Sequence, residues 1–262
     1  MKKVQEVTLN LSSEFTPVRR RLYGRKRKFR DEFKRLITPH EAIGLRVSGV
    51  PIDQATYIDD LFEGCQLNQD IAFPQVLISR KSINEKEFNK LNWILSSPFK
   101  PILRGARIES VSNDEVCEFA YAEVQCDGLM EIGSLNVDSM YKSFLFDLDW
   151  ITGQFATLLV WADRFRKKSS IQCAKYAIEV EISVKGEGVF LGKGQNYGNI
   201  NTKRSVNCLF PTYLIESDQL TIEELKNYIE IFQHDLFNSV GWHVPECYAI
   251  SSACEHSSEF LR

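Results

Sequence analysis

The sequence predicts an α+β fold: a mainly antiparallel β-sheet packed against two long helices, about 139–168 and 221–238, with a smaller N-terminal α/β part. Three observations carry this. Residues 102–137 alternate apolar and polar side chains in short runs broken by turn signals. Tyr176–Val184 (YAIEVEISV) alternates without a break, as a strand with two unlike faces requires. Two segments change to three- and four-residue apolar spacing, the period of a helix.

The elements follow in order. Val7, Leu9 and Leu11 alternate and suggest a first strand that ends at Pro17. Residues 29–37 place Phe29, Phe33 and Leu36 at helical spacing, and Pro39 stops them. Ile43, Leu45 and Val47 alternate again up to Gly49 and Pro51, and residues 75–80 form a further short strand candidate. Asn84 with Glu87 caps a helix whose stripe is Phe88, Leu91, Ile94 and Leu95. Prolines 98 and 101 mark a soft boundary, so the parts are 1–97, a core domain at 98–250 and a polar tail at 251–262. Within the core domain, 102–109, 115–126 and 129–137 read as a meander, with Asp127-Gly128 as a hairpin turn. Asp138 or Ser139 opens the longest helix. Its apolar residues spread around much of its circumference, so it is expected to be buried on two sides. Arg166, Lys167 and Lys168 at its end suit the helix dipole. After Tyr176–Val184 comes a glycine-rich segment, 186–198, expected to be a long hairpin or loop. A strand at 205–215 follows. Thr221-Ile222-Glu223-Glu224 is a capping box opening the last helix, with Leu225, Ile229, Phe232 and Leu236 on one face.

Composition removes several classes. With 44% apolar and 26% charged residues, the chain has neither the low hydrophobicity nor the high net charge of a disordered protein. No run reaches the roughly 18 apolar residues that cross a bilayer. The first residues, Met1–Glu6, have no apolar core of a secretory leader. The expectation is a cytoplasmic protein with no membrane contact. Seven cysteines, an odd number with no CxxC pair, then read as reduced thiols.

The net charge of −3 conceals a strong asymmetry. Residues 19–35 (RRRLYGRKRKFRDEFKR) hold ten Lys/Arg and two acids, a net of +8, whereas 36–262 carry a net of −11. Such a basic arm suggests a polyanion partner, and Arg19, Arg20, Arg21, Arg25, Lys26, Arg27, Lys28 and Arg30 are its candidate nucleic-acid ligands. Tyr23, Phe29 and Phe33 add stacking surface. The alternative is that the arm lies on its own acidic body, on a protein partner or on an upstream domain.

Other constellations are weighed against plainer explanations. The glycine-rich segment lacks the strand–turn–helix order and the GKS/GKT element of a phosphate loop. If it has a role, its amides with Lys193, Lys203 and Arg204 would receive an anion. Glu179 and Glu181, two apart on a strand, share a face and could bind a cation. The default for such a pair is the solvated face of a half-buried strand. Asp147 and Asp149, two apart on the expected helix, point about 200° apart and cannot share a site. His234, His243, Cys247, Cys254 and His256 do not match zinc-finger spacings. No catalytic residue, metal or cofactor is therefore assigned.

One family resemblance covers residues 98–250. It rests on Asp149-Trp150, Arg164-Phe165-Arg166, Tyr176–Glu181 and Gln233-His234-Asp235-Leu236-Phe237-Asn238 with Gly241. This succession resembles the region after the DNA-binding module in bacterial proteins with an AlbA-like domain of the Schlafen type. That module would lie upstream. The resemblance implies a context of nucleic-acid handling, regulation or phage defence, and transfers no site residue. The expected function is a non-enzymatic recognition or regulatory module. The alternatives are a metal-dependent nuclease or nucleotide-processing subunit using Glu179 and Glu181, and a structural assembly subunit.

Overall fold

The structure is a computed structural model and describes residues 31, 42–52, 62–63, 66–67, 99–111, 119–137, 143–168, 175–192, 195–216 and 220–239. The strands are β1 (Ala42–Pro51), β2 (Phe62–Glu63), β3 (Gln66–Leu67), β4 (Lys100–Ile102), β5 (Gly105–Val111), β6 (Phe119–Gln125), β7 (Met130–Val137), β8 (Ser143–Asp147), β9 (Tyr176–Gly192), β10 (Gln195–Leu209) and β11 (Tyr213–Ile215). The helices are α1 (Leu148–Lys168) and α2 (Ile222–Ser239).

Nine of the strands form one sheet, with β2 and β3 pairing separately. The lateral order is β10-β9-β1-β7-β6-β5-β4. All pairs in it are antiparallel except β8 with β9. The fold is thus the expected α+β arrangement. Strand β1 comes from the N-terminal part of the sequence, yet it sits mid-sheet between β7 and β9.

Strand β9 organises the sheet because it is long enough to serve two partners along each edge. Residues 176–185 pair with β1, and 187–191 pair with β8 further along the same edge. On the other edge β11 takes 176–178 and β10 takes 181–192. Gly186, at φ 96°, falls where β1 gives way to β8. The glycine-rich segment is therefore a long hairpin, the β9–β10 ribbon.

The odd-numbered residues of β1 and the even-numbered residues of β9 face α1. Ile43, Leu45, Val47, Ile178, Val180 and Ile182 join Phe155, Leu158, Trp161 and Phe165 in the main core. Every residue of α1 from Ile151 to Asp163 is buried, because β1, β7 and β9 lie on one side and α2 on another. Phe155 stacks on Phe232 of α2 at 4.3 Å between ring centroids, which joins the two helices. The capping box forms as expected: the Thr221 amide donates to Glu224 Oε2 at 2.9 Å and the Glu224 amide donates to Thr221 Oγ1 at 3.2 Å. No helix among the described residues is long and apolar enough to cross a membrane.

One expected boundary is corrected. The helix expected from 139 begins at Leu148, and 143–147 form β8. Phe144, Leu145 and Phe146 fit an apolar helical stripe and a buried strand equally well, and short apolar runs do not distinguish the two. A partner strand decides it, since Ser143–Asp147 run parallel to Glu187–Leu191. Asp147 then falls just before the helix, at a position that favours aspartate.

Candidate functional site: a charged face of the sheet

The face of the sheet turned away from α1 is built of polar residues, yet it is buried. Strand register places them side by side. Arg46 of β1 lies opposite Glu181 of β9 and Gly133 of β7. Ser48 lies opposite Glu179 and Glu131. Tyr121 of β6 lies opposite Gly133 and Glu109 of β5, and Glu123 lies opposite Glu131 and Arg107. Because side chains on one face repeat every two residues, five strands contribute to one polar layer.

Arg46 is its centre. The guanidinium is fully buried, and Nη2 donates to Glu179 Oε2 at 3.3 Å and lies 3.6 Å from Glu181 Oε2. Its Nη1 is 3.7 Å from Glu131 Oε2. Nε and Nη1 make no hydrogen bond, so charge more than hydrogen bonding holds this side chain. Glu131 is ordered by two further donors: Tyr121 gives its hydroxyl to Oε1 at 2.7 Å, and Ser48 gives its own to Oε2 at 3.1 Å. Burial, then the charge of Glu131 and this hydrogen bond, push the Tyr121 hydroxyl well above the ordinary phenol range, while Arg46 and Arg107 oppose them. The phenol is therefore a neutral donor across the physiological range.

A second cation extends the layer towards the edge. Arg107 bonds Glu123 and Glu109, each at 3.0 Å, and its guanidinium lies 4.3 Å from the centroid of the Tyr121 ring. Gln125 donates to the other oxygen of Glu123 at 2.8 Å. Gly133 leaves room for the arrangement, since a Cβ there would come within 2.3 Å of the Tyr121 ring.

Glu179 and Glu181 share a face, as period-two alternation predicts. The solvated face expected of them is corrected: the Glu181 side chain is fully buried and that of Glu179 only 22% exposed. The cause is β1, which lies beside β9 and supplies Arg46 between the two carboxylates. Burial of this kind needs a paired charge, and Arg46 provides it. Both carboxylates thus act as ion-pair partners of a guanidinium. Among the described residues no group of three or more His, Cys, Asp or Glu is arranged to hold a metal ion.

The other candidates are dispersed. The basic arm with Arg19, Arg20, Arg21, Arg25, Lys26, Arg27, Lys28 and Arg30 lies outside the described residues, as does Lys193. Lys203 and Arg204 fall on β10 at a break in its register. Thr202 pairs with Gly186 and Val206 with Val184, so Lys203, Arg204 and Ser205 stand across from Lys185 alone. A β-bulge of this kind gathers three cationic positions at one place on the ribbon. Asp147 ends β8 and Asp149 lies in the first turn of α1. His234 is exposed on α2, and the remaining His and Cys of the C-terminal cluster lie outside the described residues. Cys126 and Cys208 are half-buried, and burial raises the Cys208 thiol.

Sequence reasoning missed Arg46, Glu131, Tyr121, Ser48 and Arg107. A signal was present in β1, where Arg46 and Ser48 interleave with Ile43, Leu45 and Val47. Two-faced strands are ordinarily read as core-in and solvent-out, and here both faces are buried. No family model, no curated protein and no solved structure matches the chain.

Proposed function

We propose that the chain is a non-enzymatic recognition and regulatory module of a nucleic-acid-associated protein or complex, contacting phosphates through the basic arm, residues 19–35. The observation that carries this is the segregation of charge, +8 over seventeen residues against −11 in the remainder. Five acids of the charged face, Glu109, Glu123, Glu131, Glu179 and Glu181, are engaged by the sheet's own Arg46 and Arg107. The bulge brings positions 185, 203 and 204 together on the β9–β10 ribbon. Binding that neutralises about six phosphates weakens by roughly 10³ between 50 and 200 mM salt.

The test is fluorescence anisotropy with labelled 20-nucleotide single strands and 20-base-pair duplexes of DNA and RNA at both salt concentrations. The expected result is binding that falls steeply with salt and is reduced by charge reversal at Arg25, Lys26 and Arg27 together. Absence of binding, or binding equal at the two salt concentrations, overturns the proposal.

A further inference from the structure

The charged face is buried on a side of the sheet where no described helix lies. Both α1 and α2 belong to the core on the opposite side, yet Arg46, Glu123, Glu131 and Glu181 are each 3% exposed or less. Val50, Leu129 and Ala177 share the parity of Arg46, Glu131 and Glu181 along their strands and form a second buried apolar cluster on this side. The burial of this face thus calls for a further segment of the chain, one that suits both apolar and anionic groups. The anionic excess is plain from the contacts: Arg46 is shared by Glu131, Glu179 and Glu181, and Arg107 by Glu109 and Glu123. Lys185 and Glu187, further along β9, add one charge of each sign. Nε and Nη1 of Arg46 are two buried donors without an acceptor, which main-chain carbonyls of a covering segment can supply.

Charge selects the segment. Residues 53–98 hold four Lys/Arg against seven acids, 112–118 hold three acids and no base, and 240–262 hold one Arg against three acids. Residues 19–35, with ten Lys/Arg against two acids, are strongly cationic, and Phe29, Phe33 and Leu36 add an apolar stripe at helical spacing. Asp31, the described residue of this arm, is helical and exposed. On a helix, positions 29 and 33 point about 200° away from position 31, so an outward Asp31 is what a docked Phe29 and Phe33 require. Reach is sufficient. Residues 36–41 join the arm to the start of β1 and span roughly 20 Å when extended, while Arg46 lies roughly 13 Å along β1 from Ala42. So short a tether holds the arm at an effective concentration on the order of millimolar.

We infer that the basic arm docks on the charged face of its own sheet, with its Lys and Arg over the excess carboxylates and Phe29 and Phe33 on the apolar fringe. The same cations then serve two anionic partners in turn, so a nucleic acid binds the arm only by displacing it from the sheet. The affinity of the arm for phosphate is reduced by the fraction of molecules in which it is docked. The docking stands by itself, and the competition rests on the nucleic-acid reading above.

The experiment is zero-length carbodiimide cross-linking of the full chain, which joins a lysine to a carboxylate it touches, followed by peptide mass spectrometry. Glu109 and Glu179 are the reachable carboxylates of the face, with side chains 52% and 22% exposed. The expected result is links within the monomer from Lys26, Lys28 or Lys34 to either of them, which a 20-base-pair duplex removes. With Glu109→Gln and Glu179→Gln together, the same duplex should bind about tenfold more tightly in the anisotropy assay. Links from these glutamates only to lysines elsewhere, links confined to a dimer, or no link at all overturns the docking. Arm links that persist while the duplex is bound, or an affinity unchanged in the double variant, overturns the competition. Arm links in a wild type that binds no nucleic acid leave the docking standing and overturn the proposed function. The links are read in the wild type, so they decide the docking even where the double variant fails to fold.

Discussion

Replacing Arg46 by Met isolates what the charged face contributes. Met preserves much of the side-chain volume and removes the charge. The guanidinium it removes is fully buried and lies 3.3–3.7 Å from three carboxylates. Two of these, Glu131 and Glu181, are 3% and 0% exposed at the side chain, so water cannot replace the lost cation without opening the sheet. Removing one partner of a buried pair costs roughly 3–5 kcal/mol, a large share of the 5–15 kcal/mol that stabilises an ordinary domain. Urea unfolding followed by tryptophan fluorescence reads this directly, with the buried Trp161 as a native-state reporter. With an m-value near 3 kcal/mol/M, the midpoint should fall by about 1–1.7 M. Adding Glu181→Gln to the Arg46→Met background should restore part of the loss, because it removes one uncompensated charge. A midpoint within 0.3 M of the wild type (about 1 kcal/mol) at an unchanged m-value would refute the view that Arg46 compensates these carboxylates. Should Arg46→Met fail to fold, Arg46→Lys tests the same point: it retains the charge, loses the fork, and should fall between the two.

Other outcomes follow from single contacts. Tyr213 is held above the ordinary phenol range, first by burial and then by its 2.6 Å hydrogen bond to Asp235. A raised folded-state value means that its stabilisation is complete below pH about 10 and is lost as pH rises further, at up to about 1.4 kcal/mol per pH unit. Alkaline unfolding monitored by circular dichroism should therefore be less steep above pH 10 in Tyr213→Phe. Gly133→Ala should cost roughly 1–3 kcal/mol in the same urea assay, because the new Cβ displaces the Tyr121 ring and its bond to Glu131. Thr221→Ala removes the capping box of α2 and should cost about 1 kcal/mol, read as a lower thermal midpoint. Arg104→Gly relieves the positive φ and should hold or raise stability by up to about 1 kcal/mol.

Elements that depend on local signals were legible. The Asp127-Gly128 turn forms, with Gly128 at φ 81° and its amide donating to the Gln125 carbonyl at 2.9 Å. The capping box at Thr221 and the helix after it also follow from a few adjacent residues. The start of α1 was not legible, because the strand character of 143–147 comes from β9, some forty residues later in the chain. The long reach of β9 past Val184 has the same origin. Its glycines suit a long hairpin or a loop equally, and β8 and β10 on either side decide for the hairpin.

The charged face shows the same limit at the level of chemistry. Glu179 and Glu181 were visible as a pair on one face, and their cation is 133 residues away from Glu179 on β1. A paired-carboxylate motif therefore has opposite meanings depending on a partner that sequence spacing does not reveal. With an open edge beside it, the pair is a candidate cation ligand. With β1 beside it, Arg46 occupies the position between the two carboxylates. The charge count follows from the same arrangement: two guanidinium groups stand among five carboxylates on this face, which keeps −3 of the net −11 carried by residues 36–262. Glu131, Glu179 and Glu181 hold Arg46, while Glu109 and Glu123 hold Arg107. An assay of binding to polyanions tests the arm only while the sheet is intact, and substitution of Arg46, which leaves three carboxylates without their shared cation, does not meet that condition.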